Sequence, residues 1–201
     1  MFIQIIQGKC TRQDELRALA EEWGREMAPG AEGWLGGTYG FTDDDQFLGV
    51  VRFESREAAQ ANSERAEQGE WARRMEELMD GPVEYHDCAD VTLMMDGGSD
   101  EAGFVQVIRG RVEDRERFKG AMTDTDDLHR LRPEIIGGTL AIEEDGTFTE
   151  TIAFTDEASA RVGEKKEMPE MPPALREAMD EVMPTATFYD LHHPWFQSAG
   201  R

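Results

Sequence analysis

His86 and Cys88 stand two residues apart in the stretch "EYHDC". On a β-strand that spacing puts both side chains on one face. There an imidazole would draw the thiol proton and leave a nucleophilic thiolate. His86 is the best candidate catalytic base, because an imidazole titrates nearest neutrality. A lone buried cysteine is the commoner result of the same pattern. The other histidine–carboxylate groupings are His86 with Asp87, and Asp190 with His192 and His193. Neighbouring strand residues point to opposite faces, so His192 and His193 do not easily share one ion, and His86 and Asp87 fail the same way. No metal and no cofactor is expected. The chain has no G-x-S-x-G, no P-loop, and no G-x-G-x-x-G between strand and helix.

A second constellation is aromatic and polar. "NSERAEQGEW" places Asn62, Arg65 and Gln68 ahead of Trp71, and Trp34 precedes the pair Gly36-Gly37. Trp23, Met75 and Met79 fall on helical stripes and read as core. Trp34 and Trp71 lie where the chain leaves regular structure, and such places line pockets. The expected ligand site is therefore Trp34, Asn62, Arg65, Trp71 and His86.

The elements that would hold these residues read as follows. Phe2–Gly8 is a short strand closed by glycine. Thr11 is positioned to cap a helix, with Asp14 at capping-box spacing, and Leu16, Leu19, Ala20, Trp23 and Met27 form its apolar stripe. Pro29-Gly30 ends that helix. Residues 34–42 and 47–54 are strands around "DDD". Ser55 caps a second helix, which Gly69 interrupts. Gly81-Pro82 stops it, and residues 83–94 read as one long strand.

This order, β-α-β-β-α-β, recurs. "FIQIIQG" returns as "FVQVIRG", "GWLGGTYGF" as "EIIGGTLAI", "VVRFESREAA" as "TIAFTDEASA", and "EYHD" as "TFYD", each about a hundred residues on. Each copy is the split βαβ, ferredoxin-like unit, whose sheet carries both helices on one face. The other face must be covered, and the second copy is the natural cover. The fold class is therefore α+β, with two tandem ferredoxin-like units forming an intramolecular pseudo-dimeric α/β barrel. The expected bounds are 1–95 and 103–193, with an acidic flexible linker at 96–102 and a tail at 194–201. An isolated 1–95 fragment should self-associate or unfold, because it would expose an apolar face. Gly-Gly inside each strand marks a bulge, a bend or a close approach. "EMPEMPP", Glu167–Pro173, is expected as a mobile flap. Its prolines oppose a continuous helix, and Met168 and Met171 would close over a pocket mouth.

The doubled pattern, the "FxQxIxG" starts and the strand-to-helix junctions resemble the dimeric α/β-barrel superfamily. That superfamily includes antibiotic-biosynthesis-monooxygenase-like and haem-degrading proteins. The resemblance covers nearly the whole chain and implies fold more than activity. The haem-degrading branch uses a strand-one asparagine, a tryptophan in the second-helix region and an axial histidine; here strand one offers Gln4 or Gln7, the tryptophan position falls near Asn62 and the histidine position near Arg74 or Met75, so no haem is expected. The second copy has Gly163 and "EMPEMPP" at those places.

The composition bounds the partners. The chain has 201 residues, a net charge of −22 and a pI near 4.4, which argue against nucleic acid and anionic membranes. Lysine occurs only at Lys9, Lys119, Lys165 and Lys166, the other basic residues being arginine. The start "MFIQIIQGK" is too short and polar for a signal peptide. Cys10 and Cys88 lack a C-x-x-C spacing and read as reduced thiols of a cytoplasmic protein. A monomeric pseudo-dimer, or a homodimer of it, is expected.

Two functions remain open. One is a protein that holds a small hydrophobic or aromatic molecule without catalytic machinery. The other is a cofactor-independent monooxygenase or isomerase acting on an aromatic or polyketide-like molecule. The first copy is the richer in aromatic and hydrogen-bonding groups. Trp23, Trp34, Trp71, Tyr39, Phe41 and Tyr85 meet Thr125, Ile136, Leu175, Leu140, Ile142 and Phe188. Any site is therefore expected in the first unit.

Overall fold

The computed structural model describes residues 1–123, 130–167 and 171–199. Strands β1 (Phe2–Lys9), β2 (Trp34–Phe41), β3 (Gln46–Phe53) and β4 (Glu84–Cys88) alternate with helices α1 (Gln13–Glu26), α2 (Arg56–Ser63) and α3 (Ala66–Leu78). Next come β5 (Asp90–Met94), β6 (Phe104–Arg111), α4 (Arg115–Thr123), β7 (Ile135–Ile142) and β8 (Thr147–Phe154). The chain ends with α5 (Glu157–Glu164), α6 (Pro173–Val182), β9 (Thr187–Leu191) and β10 (Trp195–Ser198). The strands form two antiparallel five-stranded sheets, ordered β10-β2-β3-β1-β4 and β5-β7-β8-β6-β9. Each is a ferredoxin-like β-α-β-β-α-β unit with one strand added at an edge.

One added strand, β10, comes from a distant part of the chain, and the other, β5, from just before the first strand of its own unit. Residues 83–94 are two strands broken at Ala89, not one: β4 pairs with β1, and β5 pairs with β7. Trp195–Ser198, expected in a tail, pairs with β2. The compact units are accordingly Met1–Ala89 with Trp195–Arg201, and Asp90–Pro194. The segment expected as a slack linker makes a turn, with the Gly97 N–H donating to the Met94 carbonyl at 3.0 Å.

The doubled Gly-Gly has a structural cause. The β2/β3 register shifts between Trp34 and Gly36, and the β7/β8 register shifts between Ile135 and Gly137. Both are β-bulges. Gly36 has φ +143° and Gly137 has φ +157°. A Cβ on Gly36 would lie 2.6 Å from the Gln197 carbonyl oxygen, and one on Gly137 would overlap the Gly97 carbonyl. Each bulge is thus crossed closely by the chain of, or just after, the added edge strand. This register aligns Trp34 with Ile135, not with Ile136.

In the first unit Phe2, Ile6, Phe47, Val51 and Phe53 of the sheet pack against Leu16, Leu19, Trp23 and Met75 of the helices. Ile108, Leu140, Ile142 and Phe148 do the same against Phe118, Met122, Leu175 and Val182 in the second. Ser55 caps α2 by accepting from the Ala58 N–H at 3.2 Å, and Asp156 caps α5 by accepting from the Ser159 N–H at 2.8 Å. Two local expectations fail. Thr11 does not cap α1: the N-cap position is Arg12, which makes no side-chain cap bond, and the Thr11 N–H and hydroxyl both bond Asp80, the N–H at 2.6 Å. The break between α2 and α3 falls at Glu64 and Arg65, and Gly69 lies inside α3. No helix among the described residues is long and apolar enough to cross a membrane.

Candidate functional site

The expected first-unit residues divide across their sheet. Directly paired strand residues share a face. His86 pairs with Ile5 and Cys88 with Ile3, whereas Gln4 pairs with Asp87 and Phe2 with Phe53. Phe2 and Phe53 pack on the helices, so His86 and Cys88 point away from them. Asn62 and Trp71 do line a small helix-side cavity, with Trp23, Tyr39 and Gln68. His86 is not brought together with them. Its Nε2 lies 3.5 Å from Glu84 Oε2.

The other first-unit groups are engaged structurally. Trp23 sits edge-on to Trp34 at 5.1 Å and to Trp71 at 6.4 Å. Trp23 Nε1 donates to Gln68 Oε1 at 2.7 Å, and Trp71 Nε1 to the Leu19 carbonyl at 3.1 Å. Arg65 donates to Asn62 Oδ1 at 2.9 Å and to the Met27 carbonyl at 3.2 Å. Tyr39, Phe47 and Trp195 stack alongside. These rings consume the interior, and the remaining cavity is about 50 Å³, room for a few waters.

The second unit has the same framework with smaller side chains. Leu140 replaces Tyr39, Ile142 replaces Phe41, and Leu175 replaces Trp71. Thr125, matched to Trp23, lies outside the described residues. Here the helix-side cavity is about 460 Å³, within the range of small-molecule sites. The difference between copies thus runs opposite to the expectation, because the aromatics fill space instead of enclosing it. The walls are mainly apolar: Ile108, Phe148, Ile152 and Phe154 from the sheet, and Phe118, Met122, Leu175, Met179 and Val182 from helices. Met171, from the expected flap, is buried in this wall, while Met168 and Pro169 lie outside the described residues. Met183 and Phe188 line the cavity yet are 40% and 41% exposed, which marks the mouth.

Two polar features face this space. The first is Glu150, in the middle of β8 and only 9% exposed. Its cross-strand neighbours are Ile108 and Leu140. Among the described residues it makes no hydrogen bond or ion pair. Burial alone pushes its carboxyl up to about 7. The second is a network at one end. Gln106 Nε2 donates to Asp190 Oδ1 at 2.9 Å. Arg161 pairs with Asp190, with Glu164 Oε1 at 2.9 Å and with Glu157 Oε1 at 3.2 Å. Its guanidinium also lies 5.0 Å over the Phe104 ring. His192 Nδ1 is 2.8 Å from Glu157 Oε2, and that contact holds the Glu157 carboxyl below its ordinary range. Arg132, on the cavity wall, forms a buried pair with Glu134. Burial opposes ionisation of Glu134, but the Arg132 hydrogen bond and charge keep its carboxyl low.

Sequence reasoning missed Glu150, although a signal was present. In "TFTETIAF" the alternate residues Phe148, Ile152 and Phe154 are apolar, and Glu150 breaks their period. Among the described residues no group of three or more His, Cys, Asp or Glu is placed to hold a metal ion.

Known structures share this architecture end to end. Proteins named "putative monooxygenase" from Lactobacillus acidophilus NCFM and Fusobacterium nucleatum superpose with TM-scores of 0.72 and 0.74, at 14% and 8% identity. The matches span 98% and 99% of this chain, and 96% and 94% of those chains. The chain shares their tandem ferredoxin-like fold, and a Listeria monocytogenes ferredoxin-fold protein described as related to antibiotic biosynthesis monooxygenases matches with TM-score 0.52 at 12% identity, over 95% of this chain and 94% of that one. An anthrone oxidase-like protein also matches, with TM-score 0.64 and 12% identity over 100% of this chain and 94% of that one. At such identities the likeness concerns fold. No family model matches the sequence, and no curated protein matches it.

Proposed function

We propose that the protein binds one small, largely apolar molecule in the helix-side cavity of its second unit. The observation that carries this reading is the cavity itself: about 460 Å³, apolar-walled, with exposed Met183 and Phe188 at its mouth. The first unit, on the same framework, retains only about 50 Å³. Its tryptophan cluster is better understood as core than as a ligand cradle.

A titration with the neutral fluorescent probe N-phenyl-1-naphthylamine tests this. Met179→Trp should fill the cavity and weaken probe binding at least tenfold. Ala20→Met, in the wall of the first unit's small cavity, should leave probe affinity within about twofold. Equal loss in both variants, or none in Met179→Trp, would remove the reading.

One observation favours a second reading. A buried carboxyl pushed up to about 7 on the wall of an apolar-lined cavity is suited to general-base work. Glu150 would then take a proton from a weakly acidic aromatic substrate, whose anion would react with dioxygen without a cofactor. The fold shared with an anthrone oxidase-like protein supports that direction. Oxygen uptake with 9-anthrone, abolished in Glu150→Gln while the probe still binds, would establish it over simple binding.

A further inference from the structure

We infer that the molecule held in the second unit's cavity carries a basic nitrogen, protonated at neutral pH and seated against the Glu150 carboxylate. This inference rests on the cavity being a binding site.

The argument is one of unmatched charge. Glu150 is nine-tenths buried, faces the cavity, and among the described residues has no hydrogen-bond or ionic partner. A buried carboxylate without a partner is costly, and a ligand cation supplies both the missing charge and a donor. Among the described residues the other charged groups facing this space are few. Helix α5 contributes Arg161 and Glu164, β9 contributes Asp190, and the chain before β7 contributes Arg132. Helices α4 and α6 contribute apolar Phe118, Met122, Leu175, Met179 and Val182. Both guanidiniums are already committed. Arg161 is held by Asp190, Glu164 and Glu157, and Arg132 by Glu134. An anionic ligand would have to compete for them. A cationic one meets an unused carboxylate, within a chain whose net charge of −22 favours the same sign. The apolar walls require that the rest of the ligand be hydrocarbon or aromatic. A neutral hydroxyl would also hydrogen-bond Glu150, but it would not compensate an ionised carboxylate, so its binding should depend less on pH.

Three probes of matched size test this by calorimetry: 2-naphthylmethylamine, 2-naphthylmethanol and 2-naphthoate. At pH 8 the amine should bind at least tenfold more tightly than the alcohol, and the naphthoate most weakly. Because the amine requires ionised Glu150, its affinity should fall about tenfold per pH unit below 7. Glu150→Gln should remove the amine's advantage and its pH dependence, while the alcohol keeps its affinity within a few-fold. That variant deletes a buried charge, so it should not endanger folding. Naphthoate binding as well as the amine, or an amine affinity untouched by Glu150→Gln, would overturn the inference and leave the binding reading standing. If no probe binds, or all bind equally to Met179→Trp, the binding reading fails and the inference with it.

Discussion

Glu150 occupies the place that Gly49 holds in the first unit. Gly49 is flanked by Ile6 and Tyr39, and Glu150 by Ile108 and Leu140. In the first unit the Tyr39 ring closes over the glycine, 3.1 Å from where a Cβ would stand. In the second, a smaller leucine leaves the carboxyl facing empty volume. One exchange at each of two paired positions thus turns a packed spot into a polar point in a cavity. The consequence for stability has a definite sign. The folded chain holds the Glu150 proton up to about pH 7, whereas an unfolded glutamate loses it near its ordinary value of 4.5. The Glu150 contribution to stability should therefore fall as pH rises from about 4.5 through 7 and level off above. Glu150→Gln should be more stable than the parent at pH 8, by up to about 3 kcal/mol, with the difference shrinking towards pH 5. Urea midpoints at the two pH values measure it. A constant difference would mean that Glu150 is not desolvated as described. Residue types alone pointed elsewhere, to His86 and the tryptophans, because they reveal which groups can do chemistry but not which side of a sheet each occupies.

At the scale of elements, the sequence was most legible where a backbone requirement leaves a residue-type trace. The Ser55 cap and the paired Gly-Gly bulges were written in a short polar side chain and in glycine. It was least legible where a local signal had a distant competitor. Thr11 is a capping residue by type, but the helix starts one residue later at Arg12, and Asp80, brought close by the fold, takes both the Thr11 N–H and its hydroxyl. Gly69 had the look of a helix break, yet the chain turns at Glu64 and Arg65, where Arg65 reaches across to the Met27 carbonyl. These two kinds of glycine should respond oppositely to alanine. Gly137→Ala adds a Cβ at φ +157° into the Gly97 carbonyl and should cost about 1–3 kcal/mol or more. Gly69→Ala sits in a helix with nothing within 4 Å of the new methyl, and should gain up to about 1 kcal/mol. Denaturant midpoints of the two variants check the contrast. A neutral Gly137→Ala would mean that the bulge is not the reason for the doubled motif.

At the scale of the whole molecule, the repeat was visible in the sequence, and so were the two ferredoxin-like units. Which edge each extra strand joins was not. A strand's own residues encode its faces and its propensity, but hydrogen bonding along an edge depends on a partner that can lie anywhere in the chain. Trp195–Ser198 looked like a tail because it is short and follows the last element of the repeat. Its burial shows otherwise: Trp195 is 7% exposed, stacks on Tyr39 at 5.6 Å and lies beside Phe41 and Phe47. The Arg17 guanidinium lies over its ring at 5.2 Å, and Gln197 Nε2 donates to the Ala20 carbonyl at 2.7 Å. A chain ending at His193 should therefore lose stability in the first unit, although the deleted residues follow the second. All four tryptophans lie in the first unit's residues, so intrinsic tryptophan fluorescence reports that unit alone. The truncated chain should show an earlier fluorescence transition in urea. Trp195→Ala in the full-length chain should reproduce much of the loss, about 3 kcal/mol for a buried tryptophan. The same reasoning carries over to the 1–95 fragment, which lacks β10 and should be less stable for want of that strand. A truncated chain with an unchanged fluorescence midpoint would show that β10 merely rests on the edge of β2, and that the first unit is complete without it.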